Sequence, residues 1–260
     1  MIRSMWTAAS GMSAQQMMID VMANNLANTS TVSFKKSRAE FEDLFYATYK
    51  ESGSLTSAGG NVPVGIQIGM GTRPVAVQKM FTQGDYMETK NDLDLAIEGE
   101  GFFKLISDDR EVYSRDGAFN VDSDGYIVNA RGDRLQPDFV VPSDTATINI
   151  EKNGEITCLD VGGEPLATGQ IALYTFTNPA GLKSIGRNAY IETQASGDAL
   201  GGDAGSEIFG TIAQGYLEMS NVDAVEEMIN MIAGQRAYEM NSKTIKTADS
   251  MLQVANNLIR

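Results

Sequence analysis

The fold is decided near the start of the chain by residues 4–27, SMWTAASGMSAQQMMIDVMANNLA. Apolar residues recur there at alternating spacings of 3 and 4, which is the period of one face of an α-helix. The row is Ile2, Met5, Ala9, Met12, Gln16, Ile19, Ala23 and Leu26. Because only Gln16 is polar in this row, we predict a long amphipathic helix, which the polar residues from Asn24 onward bring to an end.

The C-terminal residues show the same period and predict a second helix of about 35 residues. Ser220 and Asp223 have the spacing of a capping box at its start. Two apolar rows make up the helix: Val222, Val225, Ile229 and Ile232, then Tyr238, Ile245, Ala248, Leu252, Ala255 and Ile259. The second row is displaced by one residue, which predicts a register shift near residues 234–236.

Between the helices the hydrophobic period changes to two, which predicts strands. Asp124-Gly125 and Asn153-Gly154 predict type I′ hairpins. The predicted fold class is α+β, with long terminal helices that form a coiled-coil domain and a central, mostly antiparallel β domain. The predicted segments are 1–45 for the N-terminal helix and the residues after it, 46–70 for a connector, 71–210 for the β domain, and 211–260 for the C-terminal helix.

The composition excludes several classes of function. The chain has 260 residues, a formal net charge of −14, no histidine and one cysteine, Cys158. Histidine-dependent catalysis and cysteine metal clusters are therefore excluded, and the acidic balance argues against binding to nucleic acid. No apolar run is long enough to span a bilayer, and polar residues interrupt the N-terminal stretch, so we predict no membrane insertion and no cleaved signal peptide.

Three short motifs have more than one interpretation. Asn120, Asp122, Asp124 and Gly125 match the start of a calcium loop, but Arg131 occupies the position of the bidentate glutamate, so a hairpin turn is favoured. Gly99-Glu100-Gly101 resembles part of a phosphate loop but favours a turn. Residues 131–133 read RGD, a match short enough to arise by chance. We therefore predict no cofactor, no metal and no catalytic residue.

Each predicted helix has an apolar seam that it cannot cover alone, which indicates pairing between the helices or with other copies. Gly- and Ser-rich stretches flank the β domain and predict connectors. The sequence thus indicates a self-assembling protein. The predicted assembly residues are Ile2, Met5, Trp6, Ala9, Met12, Ile19, Asn24, Asn25, Leu26, Val222, Val225, Ile229, Ile232, Tyr238, Ile245, Leu252 and Ile259, and the connector residues are Ser52, Gly53, Gly59, Gly60 and Pro63.

Several longer motifs resemble one family in order and spacing. They are WTAASGM at 6–12, DVMANNLAN at 20–28, FKK at 34–36, DLAIEGEGFF at 94–103, YSRDGAF at 113–119, and QGYLEMSNV at 214–222 with MINMI at 228–232 and QRAYEMNSK at 235–243. Together they resemble the bacterial flagellar basal-body rod and hook family, across essentially the whole chain. Residues 41–46 and 65–71 most resemble the distal-rod members of that family.

The resemblance implies a structural protein that forms a hollow helical tube and transmits torque from motor to hook. It implies a distal rod that spans the periplasm, export through the flagellar type III apparatus, and contacts with proximal rod proteins, the hook protein and the L and P rings. A proximal rod or hook protein is the alternative within the family, and a carboxylate-dependent cell-wall hydrolase is a remote one. One residue departs from the family pattern: Ser33 stands where glycine usually precedes the phenylalanine, so a positive φ there would carry a cost.

Overall fold

The computed structural model describes residues 2–53, 63–107, 109–206 and 208–258. It has a helix at each end, α1 (Ile2–Ala27) and α2 (Ala224–Leu258), and antiparallel strands between them, which confirms the predicted α+β class. The chain divides into two compact units. Unit 1 comprises residues 1–27, 37–79 and 223–260, and unit 2 comprises residues 28–36 and 80–222. No helix of the described residues is long and apolar enough to cross a membrane.

Unit 1 consists of the two helices and a ribbon of four strands. The strands are β1 (Ser37–Asp43), β2 (Tyr46–Lys50), β3 (Ile66–Gly69) and β4 (Thr72–Lys79). β1 pairs with β4 and β2 pairs with β3, so the chain runs out along one side of the ribbon and returns along the other. Helix α1 packs against the β1–β4 half. Gly71, at φ +122, allows this approach, since a Cβ there would lie 2.2 Å from the Ser10 Oγ.

Unit 2 contains the remaining strands. They are β5 (Tyr86–Glu88), β6 (Leu95–Glu98), β7 (Phe102–Ser107), β8 (Arg110–Ser114), β9 (Phe119–Val121), β10 (Ile127–Asn129), β11 (Arg134–Gln136), β12 (Thr147–Ile150), β13 (Glu155–Leu159), β14 (Pro165–Gln170), β15 (Ala172–Thr175), β16 (Lys183–Gly186), β17 (Ala189–Ile191), β18 (Leu200–Asp203), β19 (Thr211–Gln214) and β20 (Tyr216–Glu218). The largest sheet has the order β16-β17-β8-β7-β11-β10-β9, with β15 joined to β7 and β18. Strands β19 and β20 lie within the segment 211–260, and α2 begins at Ala224, directly after Asp223, with the predicted length of about 35 residues.

The core of unit 2 has an aliphatic and an aromatic part. Leu95, Ile97, Leu105, Ile156 and Leu173 are at most 1% exposed and belong to the aliphatic part. Phe102, Tyr113, Phe176 and Tyr190 form the aromatic part, with rings packed mostly edge to face. Such burial of large side chains supplies the main driving force for this unit. Cys158 lies in strand β13 with no exposed surface, as expected for a small apolar filler, and burial raises its pKa.

The turns differ in detail from those predicted. Asp124-Gly125 and Asn153-Gly154 do connect hairpins, but only the glycines have positive φ, so neither turn is type I′. Each is a three-residue loop, in which a four-residue turn ends at a glycine in the left-handed region. The turn in which two successive non-glycine residues have positive φ is Arg187-Asn188, at 58° and 56°, between β16 and β17. Its sequence carries no glycine at those positions and gave no signal.

The RGD tripeptide is held within its own turn. The Arg131 side chain donates to the Asp133 carboxylate at 2.9 Å and to the Arg187 carbonyl oxygen at 2.9 Å. Asp133 is buried and also accepts a hydrogen bond from the Asn129 amide. These partners give the tripeptide a structural role that links two turns of the sheet.

An ion cluster that the sequence analysis missed lies at the centre of unit 2. The Glu218 carboxylate accepts from the Lys35 Nζ at 2.6 Å, from the Arg115 Nε at 2.9 Å, and from the Gly84 amide at 2.9 Å. All three charged side chains are at most 4% exposed. Lys35 also donates to the Thr82 carbonyl, and Arg115 to that of Gly99. The cluster therefore joins segments that are far apart in sequence, and Gly99 serves in a turn, as predicted.

Ser33 completes this arrangement at a backbone cost. Its φ is 55°, so the position does require the left-handed region that glycine adopts freely. The Ser33 amide donates to the Glu218 carbonyl at 2.8 Å, and its hydroxyl donates to the Arg115 carbonyl at 2.8 Å. The hydroxyl contact offsets part of the cost and is one that glycine could not make.

The charges of the cluster are set by opposing effects. Burial raises the pKa of Glu218, but Arg115 and Lys35 outweigh it and hold that pKa below its usual value. Burial and Arg115 lower the pKa of Lys35 to about 8, against the influence of Glu218. The amine therefore keeps its proton at neutral pH, and the ion pair is present there.

We expect Glu218→Gln to lower the free energy of unfolding by about 3–5 kcal/mol at neutral pH, since it leaves two buried cations without their anion. The loss relative to the unchanged protein should shrink as the pH falls below 4.5. There the carboxylate of the unfolded chain takes up a proton first, and the folded one, whose pKa is depressed, takes it up at lower pH, so the stabilisation from the ionised Glu218 is gradually lost. Urea unfolding followed by circular dichroism measures both effects.

Glu40→Gln is the matched control, because it breaks the exposed Arg38–Glu40 pair and should cost no more than about 1 kcal/mol. Equal losses in the two variants would contradict the role assigned to the cluster.

Candidate assembly interface

Helices α1 and α2 pack antiparallel within unit 1. Asn25 near the end of α1 meets Glu227 near the start of α2, with 3.3 Å between the Asn25 Nδ2 and the Glu227 Oε2. Further along, Ile19 lies against Gly234 and Gly11 lies against Asn241. The two helices predicted as seamed thus pair with each other in one chain.

The row of α2 that faces α1 is continuous, so the predicted register shift is wrong. Its members are Glu227, Met231, Gly234, Tyr238, Asn241, Ile245, Ala248, Leu252 and Ala255, at spacings of 4 and 3 throughout. The sequence analysis missed the first half because Glu227, Gly234 and Asn241 are not apolar. Val225, Ile229 and Ile232, which it used instead, lie on a different face and are at least 50% exposed.

Small residues bring the helices close together. A Cβ on Gly234 would lie 3.3 Å from the Ile19 Cγ1, and one on Gly11 would lie 3.0 Å from the Asn241 Nδ2. Ala8, Ala14 and Ala248 are buried along the same pair. The absence of larger side chains at these points sets the spacing of the two helix axes.

Asn25 fixes the end of α1. Its amide donates to the Ser37 carbonyl at 2.9 Å and its oxygen accepts from the Ser37 amide at 2.9 Å. The side chain is 1% exposed, so these contacts tie the start of strand β1 to α1 and leave no surface for a neighbouring copy. At α2, Asp223 is the N-cap, since its carboxylate accepts from the amides of Val225 and Glu226. The predicted capping box of Ser220 and Asp223 is therefore wrong.

The predicted assembly residues fall into three groups. Ile2, Trp6, Ala9, Asn24, Val225, Ile229, Ile232 and Tyr238 are exposed. Met5, Met12, Ile19, Leu26, Ile245 and Leu252 are partly buried, and Asn25 and Val222 are buried. Ile259 lies outside the described residues. The exposed group is the part of this set that is most accessible to another molecule.

The described connector residues, Ser52, Gly53 and Pro63, adjoin strands β2 and β3. Ser52, Gly53 and Pro63 are exposed, and Gly59 and Gly60 lie outside the described residues. Beside them the β2–β3 hairpin exposes Tyr49, Ile66 and Ile68, each by at least 46%. A two-stranded hairpin with exposed apolar residues is marginal on its own in water. The sequence analysis predicts a connector over residues 46–70, whereas the structure has strands β2 and β3 there.

Family models match three parts of the chain. The model of flagella basal body rod proteins covers residues 5–35, that of the flagellar hook protein FlgE/F/G D1 domain covers residues 96–158, and that of the flagellar basal body rod FlgEFG protein C-terminal region covers residues 213–258. The matches take in both helices and part of unit 2. They define an axial protein of the flagellar rod and hook class.

Full-length relatives narrow this class. The chain is 47% identical to flagellar basal-body rod protein FlgG of Borreliella burgdorferi, over 100% of both chains. It is 44% identical to the FlgG proteins of Buchnera aphidicola from Acyrthosiphon pisum and of Caulobacter vibrioides, over 99% of this chain and 100% and 99% of theirs. The chain therefore belongs to the FlgG family and is a structural subunit of the flagellar basal-body rod.

We expect Gly234→Val to destabilise the helix pair by about 1–3 kcal/mol, because the added side chain must displace Ile19 of α1. Ala233→Val is the control, since it introduces the same branched residue on the exposed side of the same turn. Thermal loss of helical circular dichroism measures the effect. Helix propensity alone favours Gly234→Val and disfavours Ala233→Val, so a Gly234→Val protein at least as stable as the Ala233→Val protein would contradict the packing role of Gly234.

Proposed function

We propose that copies of this chain polymerise into the hollow helical distal rod, a straight tube that crosses the periplasm and transmits torque to the hook. The observation that carries the proposal is the exposed apolar surface of unit 1, which an isolated subunit leaves uncovered. A heterologous contact between such surfaces that does not close on itself generates a helical filament. The terminal helices form the coiled-coil layer of the tube in this proposal.

The proposal includes partners and a route. The rod subunit meets proximal rod proteins at one end and the hook protein at the other, and the L and P rings surround it. It reaches its site through the flagellar type III export apparatus. Its role is mechanical and not catalytic, which agrees with the absence of histidine from the sequence.

Purified protein tests this function directly. We expect straight hollow tubes by electron microscopy above a critical concentration, with sedimentation rising in step. The Glu218→Gln variant serves as a control for assembly by misfolded chains. Monomers at every concentration, or curved tubes like those of a hook, would contradict the assignment to a straight rod.

The β2–β3 hairpin and its connector are proposed to stiffen the tube by docking onto neighbouring subunits. Ile66 and Ile68 share one face of strand β3, while Gln67 lies on the other, where it donates to Thr48. Apolar contacts from the first face would resist sliding between subunits.

Replacing both Ile66 and Ile68 by serine should leave polymerisation possible but make the tube bend more easily. The measurement is a shorter persistence length in electron micrographs. Gln67→Ser is the matched control and should change little. Deleting residues 52–64 should soften the tube in the same way. If tubes of the deletion variant are as stiff as those of the unchanged protein, the proposed stiffening role is contradicted.

A further inference from the structure

The helix pair of unit 1 exposes apolar residues at both of its ends. At one end the first two turns of α2 present Val225, Met228, Ile229 and Ile232, exposed by 50–67%. At the other end Ile2 and Trp6 of α1 and Met240, Met251 and Val254 of α2 are exposed by 55–72%. Because the helices are antiparallel, these two patches lie in opposite halves of the helix pair.

One patch is a ridge and the other lies beside a groove. Positions i, i+3, i+4 and i+7 from Val225 form a single ridge, which is the pattern of a helix that binds in a groove. In the other half of the pair, Ser4 of α1 and the Met240–Met251 face of α2 line an open groove of about 460 Å³. The ridge spans about 10 Å and this face about 16 Å at 1.5 Å per residue, so the face is at least as long as the ridge.

The groove wall suits an apolar guest. The hydroxyls of Thr244 and Thr247 donate to the carbonyls of Met240 and Lys243 in their own helix, at 2.9 Å each. Their polar atoms are therefore satisfied before any partner binds. Met240 and Met251 supply flexible side chains that adapt to the surface they meet.

The two ends also have opposite charge. Residues 13–27 and 223–235 contain Asp20, Asp223, Glu226 and Glu227 and no basic residue, a net charge of −4. Residues 2–12 and 236–258 contain Arg3, Arg236, Lys243 and Lys246 with Glu239 and Asp249, a net charge of +2. The helix dipoles oppose one another in an antiparallel pair, so the side chains decide the sign at each end.

We infer that the acidic ridge of one copy docks into the basic groove of the next, so that unit 1 joins copies end to end. The inference rests on the proposed polymer and names its contact: Val225, Ile229 and Ile232 enter the groove, and Glu226 approaches Lys243 at its edge. The ridge and groove are different surfaces of one chain, so the contact repeats without closing.

Disulfide crosslinking tests the contact, because Cys158 is the sole cysteine and is buried. A mixture of Ile229→Cys and Thr247→Cys chains should form crosslinked dimers on oxidation, while either variant alone should not. A chain that carries both changes should give a ladder, because the two sites lie about 27 Å apart on one helix and cannot react with each other. Gln235→Cys mixed with Thr247→Cys is the control and should stay monomeric.

Charge reversal gives a second, independent readout. Glu226→Lys should raise the critical concentration about two- to fivefold, as expected for one exposed ion pair, and Lys243→Glu in the same chain should restore it in part. A double variant that assembles worse than either single variant would overturn the contact. Tubes that form without the 229–247 crosslink would overturn it while leaving the proposed function intact. If neither tubes nor crosslinks form, both the contact and the proposed function are overturned.

Discussion

One buried carboxylate organises the charged contacts inside unit 2. Glu218 binds Lys35, Arg115 and the Gly84 amide at once, so four distant segments meet at a single acid. Lys35 follows α1 by a few residues and Glu218 precedes α2 by a few, so the pair fixes the two stretches of chain that lead to the helices. Removing charged groups from water is costly, and the cost is met here because every member has several partners. The position of Ser33, strained but doubly hydrogen-bonded, arises from the same requirement.

Unit 1, in contrast, leaves much of its apolar surface exposed to water. Small residues let α1 and α2 approach closely, and the face so used is partly polar, with Asn25, Glu227 and Asn241 in it. The large apolar side chains of α2's first turns are consequently turned outward. In a monomer such a surface promotes non-specific aggregation, whereas in a polymer it would form the contacts between subunits. The allocation of polar residues to the inner seam thus agrees with a subunit whose larger apolar contacts are made with other copies.

Periodicity predicted both helices and the central β domain but neither the β2–β3 hairpin nor the faces that the helices use. Alternating spacings of 3 and 4 revealed both helices, and the change to period two revealed the β domain, since these periods are local properties. The inner row of α2 was missed because hydrophobicity alone does not mark Gly234 or Asn241, whose small or polar side chains matter only opposite α1. The Glu218 cluster joins residues up to 183 positions apart, which no local pattern can reveal. Arg187 and Asn188 have positive φ although neither is a glycine, so the sequence did not indicate this turn.

The burial of Cys158 has a consequence for the durability of an assembled tube. A thiol must ionise and reach a partner sulfur atom before it can form or exchange a disulfide. The thiol of Cys158, in strand β13, is buried and has a raised pKa. In the proposed tube, neighbouring copies would therefore not become covalently joined through it, even in oxidising surroundings. Contacts between copies would be noncovalent, since the sequence has no other cysteine.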